Sequence, residues 1–135
     1  MTPGVVAVRP DASLVEAALL MRSQNIGAVV VADGQDVIGV LTDRDITVRV
    51  VADGSDPMTV SARAVCTKDP VTVGPEDRVA TAVTLMREHA VRRLPVVENG
   101  LPVGIVSLGD VAEAEDPASA LAGISRAVPS AWSGP

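Results

Sequence analysis

The stretch Gly39-Val40-Leu41-Thr42-Asp43-Arg44-Asp45 has the pattern of a buried strand that runs directly into a helix. The apolar and β-branched residues before Thr42 favour a strand. Thr42 is a favourable helix N-cap residue, and Asp45 lies three residues later, in the first helical turn. Backbone N–H groups and the positive end of the helix dipole converge at such a turn. The pattern therefore predicts either a capped helix start or a place for an anion or a ribose.

A second copy of this pattern is Gly104-Ile105-Val106-Ser107-Leu108-Gly109-Asp110. The two halves of the chain align without a gap at an offset of 65 residues, the separation of Pro10 and Pro75. Identical residues meet at turns and helix faces, for example Met21 with Met86. A long gapless match of this kind indicates a duplicated β-α-β-β-α unit, and hence an α+β fold.

The repeat and its turns divide the chain into four segments. Asp53 to Asp56 has turn composition, and Asp116-Pro117 is typical of the start of a helix. The predicted segments are a first repeat at 1–56, a linker helix at 57–65, a second repeat at 66–115, and a C-terminal helix and loose tail at 116–135.

Composition limits the functions that are compatible with the chain. Its 135 residues suffice for one compact domain or two small units with a shared core, and 1% aromatic residues predict an aliphatic core. The net charge of −6 argues against non-specific nucleic-acid binding. One Cys and one His exclude an intrachain disulfide and make the usual zinc site a poor fit. The longest apolar run, 26–32, is too short to span a membrane, and the N-terminus lacks signal-peptide features, so we expect a cytoplasmic protein.

Four motifs together resemble a tandem pair of CBS domains over residues 1 to 112. They are the two Gly-containing strands with their Thr-x-x-Asp and Ser-x-x-Asp turns, Thr67-Lys68-Asp69-Pro70-Val71, and Val91-Arg92-Arg93-Leu94-Pro95-Val96. The resemblance implies two small sheets about a pseudo-twofold axis, with helices outside and two clefts between the repeats. It also implies a regulatory module that binds adenosine-containing ligands (AMP, ADP, ATP or S-adenosylmethionine), forms a disc-like homodimer and can contact a protein effector.

The resemblance places ligand-binding residues in both clefts. One cleft is expected to contain Asp45, Thr42, Arg44 and the segment from Thr2 to Val5. The other is expected to contain Asp110, Ser107, Thr67 and the pair Arg92 and Arg93. Each carboxylate would accept hydrogen bonds from ribose hydroxyls, and the basic residues would meet phosphate. The complete predicted set is Thr2, Val5, Thr42, Arg44, Asp45, Thr67, Lys68, Pro70, Val71, Arg92, Arg93, Pro95, Ser107 and Asp110.

Plainer interpretations stay open for the same residues. The two turns can be helix caps alone, and Arg92, Arg93 and Lys68 can be solvated side chains whose stems pack on apolar surface. Cys66 is expected to be a small buried residue, with a redox contact across a dimer as the alternative.

Catalysis has little support in the sequence. No Ser/His/Asp or Cys/His set and no Walker-type phosphate loop is present. The prediction is therefore a non-enzymatic regulatory module that requires no cofactor. The alternatives are a nucleotide-free interaction dimer and, more weakly, a redox-responsive dimer through Cys66.

Overall fold

A computed structural model describes residues 2–3, 6–34 and 36–115. Val5 and the predicted C-terminal helix and tail lie outside the described residues. In chain order the elements are β1 (Thr2–Pro3), β2 (Ala7–Val8), α1 (Leu14–Gln24), β3 (Ala28–Asp33), β4 (Asp36–Thr42), α2 (Asp43–Ile46) with a π-helical continuation (Thr47–Val51), α3 (Ala62–Val65), β5 (Thr67–Lys68), α4 (Val79–His89), β6 (Arg93–Glu98), β7 (Leu101–Ser107) and α5 (Leu108–Glu115).

The described strands form two small sheets. One has the order β1-β7-β6, and the other has the order β2-β3-β4-β5. Each sheet contains one antiparallel hairpin, β3–β4 or β6–β7, as the duplicated sequence predicts. β2 runs parallel to β3, and the corresponding position of the second repeat, Val73, makes a single parallel bridge to Val96. The predicted α+β fold with two small sheets is confirmed.

The repeats exchange their first strands, which the sequence analysis did not predict. β5 follows the linker into the second repeat, yet it pairs with β4 of the first repeat, with Thr67 opposite Val40. β1 correspondingly pairs with β7 of the second repeat, with Thr2 opposite Ile105. The offset of 65 residues relates the two registers, so each sheet is completed by the opposite repeat.

Local caps set the helix boundaries, and at the linker helix they override the predicted one. The sequence predicts that α1 extends to about Asn25, and the structure agrees: α1 ends at Gln24, and its cap Asn25 has a left-handed φ of 57°. The predicted helix over 57–65 is shorter and begins only after Ser61, whose side chain accepts a hydrogen bond from the Ala64 N–H at 3.3 Å. The duplicated unit also predicts a strand at 71–73, the counterpart of β2, and the structure has only the bridge at Val73 there.

The buried side chains form two aliphatic clusters, one in each repeat. Leu14, Val29 and Leu41 are fully buried in the first cluster, which also includes Ala62 and Val65 of the linker helix. Leu94 is the fully buried centre of the second cluster. Each cluster holds its own hairpin against its own helices, and this fixes the two strand-to-helix turns described next.

Candidate functional site

The two predicted turns have nearly the same geometry. The Thr42 N–H donates to Asp45 Oδ2 at 2.9 Å, and the Asp45 N–H donates to Thr42 Oγ1 at 3.1 Å. The Ser107 N–H donates to Asp110 Oδ2 at 2.8 Å, and the Asp110 N–H donates to Ser107 Oγ at 3.1 Å. Both turns are reciprocal capping boxes, as the sequence pattern of a capped helix start predicts. The same bonds hold each carboxylate half-buried and in a fixed orientation.

Asp45 also faces a cation from its own helix. Arg49 Nε lies 3.7 Å from Asp45 Oδ1, and the Arg49 side chain donates to the Val65 carbonyl at 2.8 Å. The Asp45 side chain is 13% exposed, against 49% for Arg49. Arg49 thus joins the first carboxylate to the end of the linker helix. Arg49 is not among the predicted site residues, although its spacing of four from Asp45 places both on one helix face.

The strand exchange corrects the predicted grouping around the first carboxylate. Thr67 and Lys68 lie on β5 beside β4, the strand that ends in Thr42. The charges of Asp45, Arg49 and Lys68 all act on the thiol of Cys66, which precedes β5. Thr67 was expected beside Asp110, and this expectation is wrong because β5 crosses to the first repeat. The first turn, β5 and Arg49 are therefore neighbours.

The second carboxylate has the reciprocal surroundings. Its turn follows β7, and β1 pairs with β7 through Thr2 and Pro3, whereas Thr2 was expected in the cleft of Asp45. Arg93 is opposite Ser107 in the β6–β7 register, and the Leu108 N–H donates to the Arg92 carbonyl at 2.8 Å. The structure therefore brings the backbones of the predicted arginine pair next to the second turn.

The Arg93 side chain reaches across to the first repeat. A guanidinium nitrogen of Arg93 and Asp43 Oδ2 each lie 3.0 Å from the position that a Cβ on Gly27 would occupy. A cleft of about 550 Å³ opens at this junction and is lined by residues of α1, the loop between α1 and β3, α2 with its continuation, and Arg93. Gly27 leaves room for the two opposite charges to approach, so Arg93 belongs to the boundary between the repeats rather than to the second turn alone.

The remaining predicted residues have diverse positions. Arg44 and Arg92 are exposed, and Pro70 and Val71 are half-buried in the segment that crosses from β5 to β6. Pro95 is fully buried, and its carbonyl accepts a hydrogen bond from the Val73 N–H at 3.0 Å. The structure gives Pro95 a role in packing.

Cys66 is 5% exposed, which agrees with its expected role as a buried residue. Burial raises the pKa of its thiol, the Asp45 charge raises it further, and Lys68 and Arg49 oppose the shift. A redox contact needs an accessible thiol with a lowered pKa, so the redox alternative is contradicted on both requirements.

The described part of the chain contains neither a candidate metal centre nor a helix suited to a membrane. No group of three or more His, Cys, Asp or Glu side chains in residues 2–3, 6–34 and 36–115 is placed to hold a metal ion. No helix in these segments has the length and apolar character needed to cross a membrane.

Comparison with known proteins agrees with the motifs. The sequence profile of the CBS domain matches residues 1–52 and 62–116. The CBS domain-containing protein YhcV of Bacillus subtilis is 40% identical over 130 residues, which cover 93% of this chain and 92% of YhcV.

Two solved structures have the same architecture. The first is the CBS domain protein PAE2072 from Pyrobaculum aerophilum complexed with AMP. It has a TM-score of 0.72 and 26% identity, and the match covers 82% of this chain and 85% of that one. The second is a hexameric CBS-CP12 protein from bloom-forming cyanobacteria, with a TM-score of 0.76 and 28% identity over 92% of this chain and 75% of that one. The chain belongs to the CBS domain family and contains a tandem pair of these domains.

Proposed function

We propose that the chain is a regulatory module that binds an adenosine-containing ligand beside Asp45, beside Asp110, or at both, and is not an enzyme. The ligand class comprises AMP, ADP, ATP and S-adenosylmethionine. The observation that carries the proposal is the carboxylate turn, which occurs twice in the same hydrogen-bonded geometry. The AMP complex of a structural relative supports the ligand class.

The turn is chemically suited to a ribose. The two adjacent ribose hydroxyls are donors, and a carboxylate offers about four lone-pair positions on its two oxygens. In the first turn, backbone N–H bonding uses Oδ2 of Asp45, and Oδ1 lies toward the half-exposed Arg49. Because the carboxylate is already oriented by its own turn, little conformational freedom is lost when a ligand binds.

The strand exchange decides which predicted residues serve each carboxylate in this proposal. Thr67 and Lys68 would serve the site of Asp45, because β5 lies on β4. Pro70 and Val71 lie beyond β5, and Val71 packs against the second buried cluster. Thr2 would serve the site of Asp110, together with Arg93. Lys68 and the arginines supply local positive charge for a phosphate in a chain with a net charge of −6.

Signalling in this proposal proceeds through contacts with a second copy or a protein effector. Binding would favour one of two packing states by its differential affinity for them. Apolar side chains on the outer helices are available for such contacts: Leu19, Val48 and Val51 are 49%, 45% and 64% exposed. The hexameric relative supports self-association.

Thermal unfolding followed by circular dichroism tests the proposal. The wild type is heated with AMP, ADP, ATP, S-adenosylmethionine or NAD, and at 100 times Kd a ligand should add about 2.7 kcal/mol to the free energy of unfolding. Asp45→Ala and Asp110→Ala should each lose the part of the shift that belongs to their own site.

Asp56→Ala is the matched control for these variants. Asp56 Oδ1 accepts a hydrogen bond from the Met58 N–H at 2.9 Å, so this variant also loses a carboxylate from a turn. It should melt lower than the wild type and keep the full ligand shift. If no ligand shifts the wild type, the chain is a nucleotide-free interaction module instead.

A further inference from the structure

The linker between the repeats covers one side of the first repeat. The Ala62 N–H donates to the Ala12 carbonyl at 2.8 Å, and the Leu14 N–H donates to the Pro57 carbonyl at 3.1 Å. Leu14 and Ala62 have no exposed surface. The groove between α1, β3, β4 and α2 is therefore covered by residues 57–66.

The equivalent groove of the second repeat is open among the described residues. A cavity of about 280 Å³ lies between α4, β6, β7 and α5. Its lining includes the apolar side chains Val73, Val79, Ala82, Val96, Val106 and Val111. Val79 occupies the position of Leu14 in the repeat alignment, and it is 39% exposed. The second repeat thus has the apolar groove without the covering segment seen on the first.

We propose that this groove is the docking site of the chain's own residues 116–135. The first repeat shows the route, since the chain leaves the helix after β4, turns at 52–56 and covers its own groove. In the second repeat the chain leaves α5 at Glu115, and Ala114 of that last turn already lines the groove. Residues 116–135 match 51–70 in the alignment, so they are long enough to follow the same route.

The composition of this segment suits an apolar groove. Asp116 and Arg126 are its only charged residues, and Leu121, Ile124 and Val128 are large aliphatic residues. The match to the Bacillus subtilis relative covers 93% of the chain and so continues past Glu115. The similarity therefore extends from the paired repeats into this segment. A segment with these properties gains more by burial in the groove than by exposure.

Limited trypsin digestion of the full chain, without nucleotide, tests the docking. Arg126 is the sole Lys or Arg in residues 116–135, so cleavage there is read by mass spectrometry as the fragment 1–126. Docking protects a site in proportion to the population of the docked form. Val79→Asp places a charge in the groove and should speed cleavage after Arg126 about tenfold or more. An acidic residue in the first turn of α4 is compatible with the helix, so this variant should fold.

Leu101→Asp is the matched control, because Leu101 is 42% exposed and lies on the β6–β7 hairpin outside the groove lining. Its cleavage rate should equal that of the wild type. Ala114→Glu, a second groove variant, should behave like Val79→Asp. Equal rates in all four proteins would overturn the proposal. Protection that fades on dilution would also overturn it, because the groove would then be filled by a second copy.

Discussion

The two repeats share the hairpin and the geometry of the strand-to-helix turn, and their surroundings differ. In both repeats the first residue of the helix donates a backbone hydrogen bond to the residue just before or at the start of the hairpin. The Asp43 N–H donates to the Gly27 carbonyl at 3.0 Å, and the Leu108 N–H donates to the Arg92 carbonyl at 2.8 Å. Only in the first repeat, among the described residues, does a linker segment pack against the buried cluster. The duplication thus specifies local structure, and the flanking segments determine which side of each repeat is enclosed.

The side chains at equivalent positions of the two repeats also differ. Arg49 connects the first carboxylate to the linker, and the equivalent residue of the second repeat is Ala114. The first site therefore has a direct connection to the segment that joins the repeats, which the second cannot have through this position. Binding at the two carboxylates should accordingly have different consequences for the rest of the module.

The largest effect is expected where the exchanged strand meets the first repeat. A Cβ at Gly39 would collide with the Thr67 carbonyl oxygen of β5 and lie 2.8 Å from Cys66 Sγ. Backbone atoms cannot rotate away as a flexible side chain can, so β5 would have to move. Gly39→Ala should lower the free energy of unfolding by about 3 kcal/mol, measured by urea denaturation with circular dichroism.

Gly54→Ala is the control for replacing a glycine by alanine where no neighbouring atom is in the way. Gly54 has a φ of 72° and no heavy atom within 4 Å of an added Cβ, so the change carries conformational strain alone. It should lower stability by about 1 kcal/mol. Equal effects at both glycines would show that the close approach of β5 contributes nothing to stability.

An intermediate effect on stability is expected for Arg49, whose connection to the linker has no counterpart in the second repeat. Arg49→Ala removes the charge-assisted hydrogen bond to the Val65 carbonyl and the charge beside Asp45. Because Arg49 is half-exposed, water replaces part of this interaction, and the loss should be about 1.5 kcal/mol in urea denaturation.

Arg87→Ala, at an exposed position of α4, serves as the comparison for Arg49→Ala and should change stability by less than about 0.5 kcal/mol. Arg49→Gln retains a donor without the charge and should have an intermediate value. If Arg49→Ala and Arg87→Ala are indistinguishable, the connection between the first carboxylate and the linker is not a stabilising one.

Much of this architecture could be predicted from the sequence because the signals are local. The hairpin turn at Asn99-Gly100 has positive φ angles at both residues, as its composition predicts. The two capping boxes likewise follow from Thr42 and Ser107 with an Asp three residues later. Each of these features is specified by residues within a few positions of one another.

The strand exchange and the resulting site grouping could not be predicted in this way. β1 and β5 contain two residues each, which is too short for an alternating pattern to indicate a partner. Their pairing depends on contacts between residues far apart in sequence, such as Thr2 with Ile105. Arg93 facing Asp43 has the same origin, because the contact crosses the boundary between repeats.

The smallest effect is expected at the starts of the two equivalent helices. Ser13 Oγ accepts a hydrogen bond from the Glu16 N–H at 3.1 Å at the start of α1, whereas Arg78 gives α4 no side-chain cap. Ser13→Ala should therefore cost about 1 kcal/mol, and Arg78→Ser should gain about 0.5 kcal/mol by supplying the missing acceptor. Arg78→Ala has no acceptor and should be neutral in the same urea measurement. If Arg78→Ala raises the free energy of unfolding as much as Arg78→Ser does, the gain comes from removal of the arginine. Capping would then not account for the difference between the two helix starts.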